Sequence, residues 1–492
     1  MSLSKSIVKN TFIQVGGKVI GTALSLVAAG MMLRYLGEAG TGKYTGVFSF
    51  LQIFGILMDL GLYVILVKNI ARIDKESEPL VNSIFTIRLL AGITLLLMAP
   101  GVAWIIGQFK PFYSTEIILT IAATGLFFLF ISLNQLLSAV FQKFLATQYI
   151  ALGEFIGKLV MLGSVALAIY MELSFFWIMM TFVASAAANF LVNFIASRKY
   201  FHIKFRFDKE EWIHIMKEAW PIAISITFGV IYFKGDAVLL TLWENEATVG
   251  EYGAPYRGLE VLVTFPAMFA GLAMPVITAA WQDKDMDRFK RVLQKSFDGL
   301  TLIALGAIAG TLVLAPQMVY LLAGEGFDRS DEIMRILIIA TSAIYLGTLY
   351  GYIAPAIGKQ KQLMWGFIFV AITALGAYIY AIPRWSIYGA AWVTVYAEIA
   401  ILAIAMAIVY TATNTAPSLS RTWRFALAAT IMYALLSFIT PQLFSEGVQS
   451  TWDSVIQLAV LVPAGGIVYI TVSILLGALK IQELLEFLPG RR

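Results

Sequence analysis

The chain has no cysteine and two histidines in 492 residues, and these scarcities exclude whole classes of chemistry. Without thiols there is neither a disulfide framework nor a thiolate metal site. His202 and His214 fall in one polar connection and form no imidazole cluster with metal-ligand spacing. Charge is also scarce: Asp, Glu, Lys and Arg make up 13% of the residues, about half the share of an ordinary soluble domain. No G-x-x-x-x-G-K-[ST] phosphate loop occurs, which argues against an ATP-driven pump.

What the chain has instead is apolar sequence: 60% hydrophobic residues and a mean hydropathy of +0.82. The apolar residues come in continuous blocks of about 20 to 28, long enough to cross about 30 Å of hydrocarbon as helix. Continuous blocks exclude a β-barrel, whose strands alternate. The reading is an all-α polytopic membrane protein with about 14 spans: 9–33, 44–67, 80–107, 116–141, 147–170, 174–197, 216–242, 252–280, 297–322, 333–356, 362–382, 387–410, 422–440 and 454–478. Residues Phe12 to Leu33 are too long and too Gly-rich for a signal peptide and read as the first span.

The net charge of +5 matters less here than its distribution, and it gives no reason to expect nucleic acid as a partner. Of 35 Lys and Arg, about 24 fall in the termini and alternate connections, six of them between Arg198 and Lys217 and five between Lys284 and Lys295. The opposite connections hold Arg34, Lys43, Lys110, Arg329, Arg335 and Arg384. By the positive-inside rule both termini are cytoplasmic. The connection RKYFHIKFRFDKEEWIHIMK (198–217) mixes cations with aromatics and reads as a segment at the headgroup level.

The chain also repeats itself. EAGTGKY (38–44) and EATVGEY (246–252) share one E-A-x-x-G-x-Y frame. MAPGVAWIIG (98–107) and LAPQMVYLLA (314–323) each place an aromatic residue four positions after an Ala-Pro. Spans one to six and seven to twelve therefore correspond in the same direction, which predicts a pseudo-two-fold along the membrane normal. The expected organisation is a six-helix lobe over 1–198, an amphipathic cytoplasmic connection over 199–215, a second lobe over 216–412, and two appended helices with a tail over 413–492.

Ionisable residues inside spans are costly and mark pathways or mutual pairs. The cations within or at the edges of spans are Lys18, Arg88, Lys158, Lys234 and Arg257; the acids are Asp59, Glu154, Asp236, Glu260, Asp298 and Glu398. Glu154 and Lys158, four apart, read as a structural pair, and Arg257 and Glu260, three apart, have the spacing for another. Lys234 and Asp236, two apart on a helix, do not face each other. Lys18 and Arg88 have no acid at i±3 or i±4, and Asp59 is the acid that could serve either across helices. Gly16, Gly17 and Gly21 in the first span, and Pro255, Pro266 and Pro275 in the eighth, are candidate hinges.

RYLGEAGTGKY, DLGL (59–62), GDAVLL with VGEY and YRGLE, and SIYGAAW (386–392) together resemble the polysaccharide transporter family of the multidrug/oligosaccharidyl-lipid/polysaccharide exporter superfamily. The resemblance runs from residue 5 to about 410. It implies two six-helix lobes forming a V around a central cavity. It also implies a secondary carrier in the cell's inner membrane, not an enzyme, that flips an oligosaccharide on a polyprenyl diphosphate outward by alternating access. On that reading Lys18, Arg88, Lys234 and Arg257, with Asp59, Asp236 and Glu260 as companions, line the cavity and hold the diphosphate, a site suited to cations. Gln14, Gln52, Asn134, Gln135 and Asn189 are candidates for the sugars. The implied partners are the lipid-linked oligosaccharide, membrane lipids and the polysaccharide polymerase machinery, and the implied carrier is monomeric. No cofactor is implied, and a coupling H+ or Na+ is left open. The alternative is a cation-coupled multidrug-type exporter of the same superfamily. Such exporters typically carry a coupling acid in the first span, where residues 12–33 have Lys18 and no Asp or Glu.

Overall fold

In the computed structural model the described residues are 3–63, 65–66, 78–144, 146–444, 448 and 450–480; the side chains of residues 3–20, 57, 78, 221, 225, 264, 268 and 272 lie outside that description. Among the described residues the chain is helical, without strands. We number the long helices α1 (Leu3–Asp59), α2 (Glu78–Gly107), α3 (Thr115–Lys143), α4 (Gln148–Tyr170), α5 (Phe175–Ser197), α6 (Lys209–Trp243), α7 (Glu246–Gln282), α8 (Met286–Ala323), α9 (Ser330–Ala356), α10 (Gln360–Thr413), α11 (Thr422–Leu443) and α12 (Thr451–Leu475).

Among the described residues eleven helices, α2 to α12 in this numbering, are long and apolar enough to cross a membrane. Their outward faces carry large apolar side chains, such as Leu97 at 72% and Leu475 at 79% exposure, which suits a lipid solvent and not water. Two helices are each broken at one residue. Gly37 leaves helical conformation in α1 (φ 61°, ψ −169°), in a region open essentially to glycine alone. Ser386 does the same in α10 (φ 51°, ψ −136°). The first and second predicted spans thus share α1, and the eleventh and twelfth share α10.

The chain forms two compact units, residues 1–250 and 251–492. In the first, α1 touches each of α2 to α6. Its second half carries the aromatic core: Tyr44 packs on Phe48 and Phe182, and Phe48 on Phe127 and Phe128. α1 stops at Asp59, where Leu60 (φ 41°) and Gly61 (φ 76°) turn the chain. A Cβ on Gly61 would stand 3.0 Å from Ile222 of α6, so the turn is also where α6 comes close.

Before α6 the chain runs without regular secondary structure over 201–208 and is pinned to α2. Lys204 N–H donates to Asn82 Oδ1 (2.9 Å) and Arg206 N–H to Thr86 Oγ1 (3.0 Å), while Ser83 Oγ donates to Glu211 (2.5 Å). Asp208 then caps α6 by accepting the Glu211 N–H, and that bond together with Arg206 holds its carboxyl below the usual range.

In the second unit α8 is the central element, packing on α9, α11 and α12. The C-terminal pair closes on it through Ala428, Met432, Leu436, Leu461 and Tyr469 against Ala309 and Leu314. Two polar contacts fix the register: Gln317 to Gln457 (2.9 Å) and Tyr469 OH to the Leu302 carbonyl (2.8 Å).

The repeated frame makes a reciprocal contact inside the first unit. A Cβ on Gly42 would stand 1.7 Å from the Glu246 carbonyl oxygen, and one on Gly250 would stand 1.9 Å from the Glu38 carbonyl oxygen. In the shared frame Gly42 aligns with Gly250 and Glu38 with Glu246, so each copy's glycine receives the other copy's glutamate backbone. The tyrosines correspond too: Tyr44 packs on Phe182 of α5, and Tyr252 bonds Thr394 (3.3 Å) in the last part of α10. Gly42→Val or Gly250→Val drives a side chain into backbone and is expected to cost at least the 1–3 kcal/mol typical of overpacking. Melting followed by fluorescence in detergent checks this; Gly163→Val, where nothing stands within 4 Å of the added Cβ, is the milder control.

Candidate functional site

The best-defined charged site is built on Arg88. Its side chain is fully buried in α2, reaching the Asp59 carboxylate at the end of α1 and the Ser132 carbonyl of α3. Longer contacts run to Ser132 Oγ and Gln135 Oε1, both 3.4 Å. Asp59 also accepts the Tyr63 N–H at 3.3 Å, holding the turn that follows α1. One guanidinium therefore ties three helices together, and the exposed part of the pair is the carboxylate, 26% accessible against none for Arg88.

Lys234 and Asp236 are both buried in α6. The Lys234 ammonium lies 5.0 Å from the Phe233 ring centroid, and Asp236 Oδ1 accepts the Ala237 N–H at 2.7 Å. Arg257 and Glu260 of α7 form the i,i+3 ion pair their spacing predicts, at 2.7 Å and partly exposed. Lys18, Gln14, Gly16 and Gly17 fall in the part of α1 whose side chains lie outside the described residues.

On α4, Lys158 is half-buried, with its Cγ 3.8 Å from where a Cβ on Gly21 would stand, and Glu154 is exposed. Asp298 of α8 is met by Gln294 (2.8 Å) and Arg421 (3.6 Å), which anchors the approach to α11, and Glu398 is buried in α10. Pro255, Pro266 and Pro275 all lie within α7. Of the amides considered for sugars, Asn134 and Asn189 both accept from the buried Asn193 (2.7 and 3.0 Å), a half-buried ladder between α3 and α5. Gln135 joins the Arg88 cluster. Gln52 is half-buried in α1. Among the described residues no group of three or more His, Cys, Asp or Glu is arranged to hold a metal.

The ion pairs around the repeated frame escaped the sequence reading because their members were counted as loop charges. Lys43 bonds Glu116 at the start of α3 (2.7 Å) and lies 3.9 Å from Glu246. Glu251 pairs with Arg329 at the start of α9, and Ser330 Oγ donates to the Glu251 carbonyl. Lys43 and Glu251 occupy the same place in the repeated frame. The two copies thus tie the frame to corresponding helices with the charges reversed, and that reversal was legible in the two seven-residue motifs.

The family model described as "Polysaccharide biosynthesis protein" matches residues 7–281. No curated protein sequence matches the chain. Among solved structures the chain is similar to a lipid II flippase MurJ in an inward closed conformation, with a TM-score of 0.73 and 13% identity over 96% of this chain and 100% of that one. It is similar to an inward-facing multidrug resistance MATE family transporter of the MOP superfamily, with a TM-score of 0.63 and 16% identity over 85% and 95% of the two chains. The chain is also similar to a MOP superfamily transporter from Pyrococcus furiosus described by a binding pocket of reverse polarity, with a TM-score of 0.57 and 16% identity over 84% and 97% of the two chains.

Proposed function

The chain belongs to the polysaccharide biosynthesis protein family, and from that premise we propose that it is a multi-pass membrane transporter of the MOP superfamily that flips a polyprenyl-diphosphate-linked oligosaccharide from the cytoplasmic to the outer leaflet. The observation that carries this reading is the joint one of family and fold: a polysaccharide biosynthesis family match together with a lipid II flippase likeness that spans 96% of the chain. The chain's own residues add that the first span holds Lys18 and no carboxylate.

In this reading Lys18, Lys234 and Arg257 meet the diphosphate, and Arg88 acts from behind Asp59. Asp236 and Glu260 keep the cations from binding it too tightly to release. The glycines of the first span and the prolines of α7 supply bending. Fourteen crossings, the lobe boundaries at 198 and 216 and cytoplasmic termini belong to the same proposal. Outward movement of a dianionic headgroup from the negative to the positive side of an inside-negative membrane is favourable by roughly 2.3 kcal/mol per charge per 100 mV, so the potential itself can drive export.

The orientation is tested with single cysteines in this cysteine-free chain. Glu210→Cys is expected to be shielded from an impermeant maleimide in intact cells, and Gln108→Cys, exposed in the α2–α3 connection, is expected to react. The opposite pattern contradicts the orientation.

The fold likeness to a multidrug MATE transporter favours a second reading, a cation-coupled exporter of small organic molecules. The two separate in one experiment. A multidrug exporter protects drug-sensitive cells and leaves lipid-linked oligosaccharide where it was made; a flippase does the reverse.

A further inference from the structure

Where α3 ends, α4 begins and α5 ends, four aromatic rings gather at the end of the first unit that the cation count places in the cytoplasm. Phe141 is fully buried and forms the floor, 5.5 Å from Tyr149 and 6.0 Å from Tyr200 between ring centroids. Tyr200 stacks on Phe144 at 5.0 Å and 29°, and meets Tyr149 at 6.2 Å. Cations stand around this platform. Lys143 Nζ is 5.6 Å from the Phe144 centroid; Lys199 Nζ is 5.6 Å from the Tyr149 centroid and 3.4 Å from its hydroxyl. Arg198 lies over Phe194 at 5.2 Å.

Among the described residues the contacts of Arg198 and Lys199 are to aromatic rings and a phenol, not to carboxylates. A ring face attracts a cation through its quadrupole but accepts little of its hydrogen-bonding capacity. Such a cation is held in place while its charge and N–H donors stay available to an anion. The surroundings are those of a lipid. Leu152 and Phe155 of α4, and Leu191 and Ile195 of α5, are exposed apolar side chains running from this end into the span. A free inorganic anion has no use for that surface; a molecule with a phosphate at the interface and a hydrocarbon tail uses both.

We propose that Lys143, Arg198 and Lys199, presented by the Phe144–Tyr149–Tyr200 platform, form a binding site for the phosphate headgroup of a lipid in the cytoplasmic leaflet. The site is separate from Lys18, Lys234 and Arg257 and goes beyond the transport reading. The phosphate is either that of a resident anionic phospholipid or that of an incoming polyprenyl diphosphate, and the chemistry of recognition is the same for both. Losing two charge-assisted hydrogen bonds to phosphate is expected to weaken binding by about tenfold or more.

The test is native mass spectrometry of the full-length, delipidated protein titrated with phosphatidylglycerol, phosphatidylcholine or a polyprenyl diphosphate. The parental protein is expected to retain one more phosphatidylglycerol than the Lys143→Gln/Lys199→Gln variant, and the Lys143→Arg/Lys199→Arg variant to retain it as the parent does. Matching melting temperatures for the Gln and Arg variants exclude a folding defect. Tyr200→Leu, which removes a ring and no charge, is expected to lower retention as well. Displacement of phosphatidylglycerol by stoichiometric polyprenyl diphosphate identifies the site as an entry point for cargo; lack of displacement identifies it as a resident-lipid site. Both outcomes support a lipid-phosphate site. Unchanged retention in the Gln variant, or equal retention of phosphatidylcholine and phosphatidylglycerol by the parent, overturns it. The readout is independent of transport, so it survives or fails separately from the flippase reading.

Discussion

Asp59→Leu is expected to be among the most destabilising single substitutions in this chain, costing about 3–5 kcal/mol, the range for removing one partner of a buried ion pair. The reason is an asymmetry in the pair. Arg88 has no exposed surface, so without Asp59 its charge stays buried against neutral oxygens of Ser132 and Gln135. Arg88→Leu strands a carboxylate that already has 26% of its side-chain surface exposed, and water relieves part of that loss. The order of effects is therefore Asp59→Leu worse than Arg88→Leu, with the double Leu variant recovering much of the loss because no charge is left buried. Melting of the three variants in one detergent checks the order. If Arg88→Leu proves the more harmful to stability, the pair does not hold the helices together as described. If Arg88→Leu melts like the parent yet fails to transport, Arg88 belongs to the cargo path and not to the scaffold.

Loss of transport without loss of fold is the expected result for the cations that the proposed function assigns to the diphosphate. Lys234→Gln is expected to reduce flipping by tenfold or more, since a charge-assisted contact to phosphate is worth about 1.5–3 kcal/mol. Lys234→Arg keeps the charge and is expected to retain more activity than Lys234→Gln. Arg257→Gln is expected to act more weakly, because Arg257 already shares its charge with Glu260 at 2.7 Å. Transport by each variant is normalised to its abundance in the membrane. Parental rates for both Gln variants contradict the cationic mechanism and leave family and fold untouched.

Much of the fold was legible because a membrane leaves the backbone few choices. Each apolar block has to satisfy its own hydrogen bonds, so blocks of span length became helices. The breaks within α1 and α10 were harder to read. Gly37 is conformationally permissive by nature, but nothing marks Ser386 as a residue that leaves the helix. The repeat was legible in the E-A-x-x-G-x-Y frame; the meeting of its two copies, Gly42 to Glu246 and Gly250 to Glu38, was not, because close backbone approach leaves no sign but the glycines themselves. The site was most legible where partners are close in sequence. Arg257 and Glu260 are three apart, a spacing that allows the pair they form. Arg88 and Asp59 are 29 positions apart; the sequence left Asp59 open to Lys18 or Arg88, and the fold brings it to Arg88. Asn134 and Asn189 read from residue type as sugar ligands or as polar contacts between helices, and their shared partner Asn193 shows the second of these.

The central claim is that the cargo is a polyprenyl-diphosphate-linked oligosaccharide moved by this chain without ATP. The direct measurement is flipping in proteoliposomes holding only the purified protein and a fluorescent polyprenyl-diphosphate oligosaccharide, with and without an inside-negative potential set by a potassium gradient. Lipid initially in the inner leaflet is expected to become accessible to an external glycosidase in a protein-dependent manner. Outward flipping is expected to quicken when the potential is imposed, as movement of a dianion requires. Accessibility that stays at the protein-free rate under both conditions, alongside efflux of a cationic dye coupled to a proton or sodium gradient, contradicts the account and favours the multidrug-type exporter.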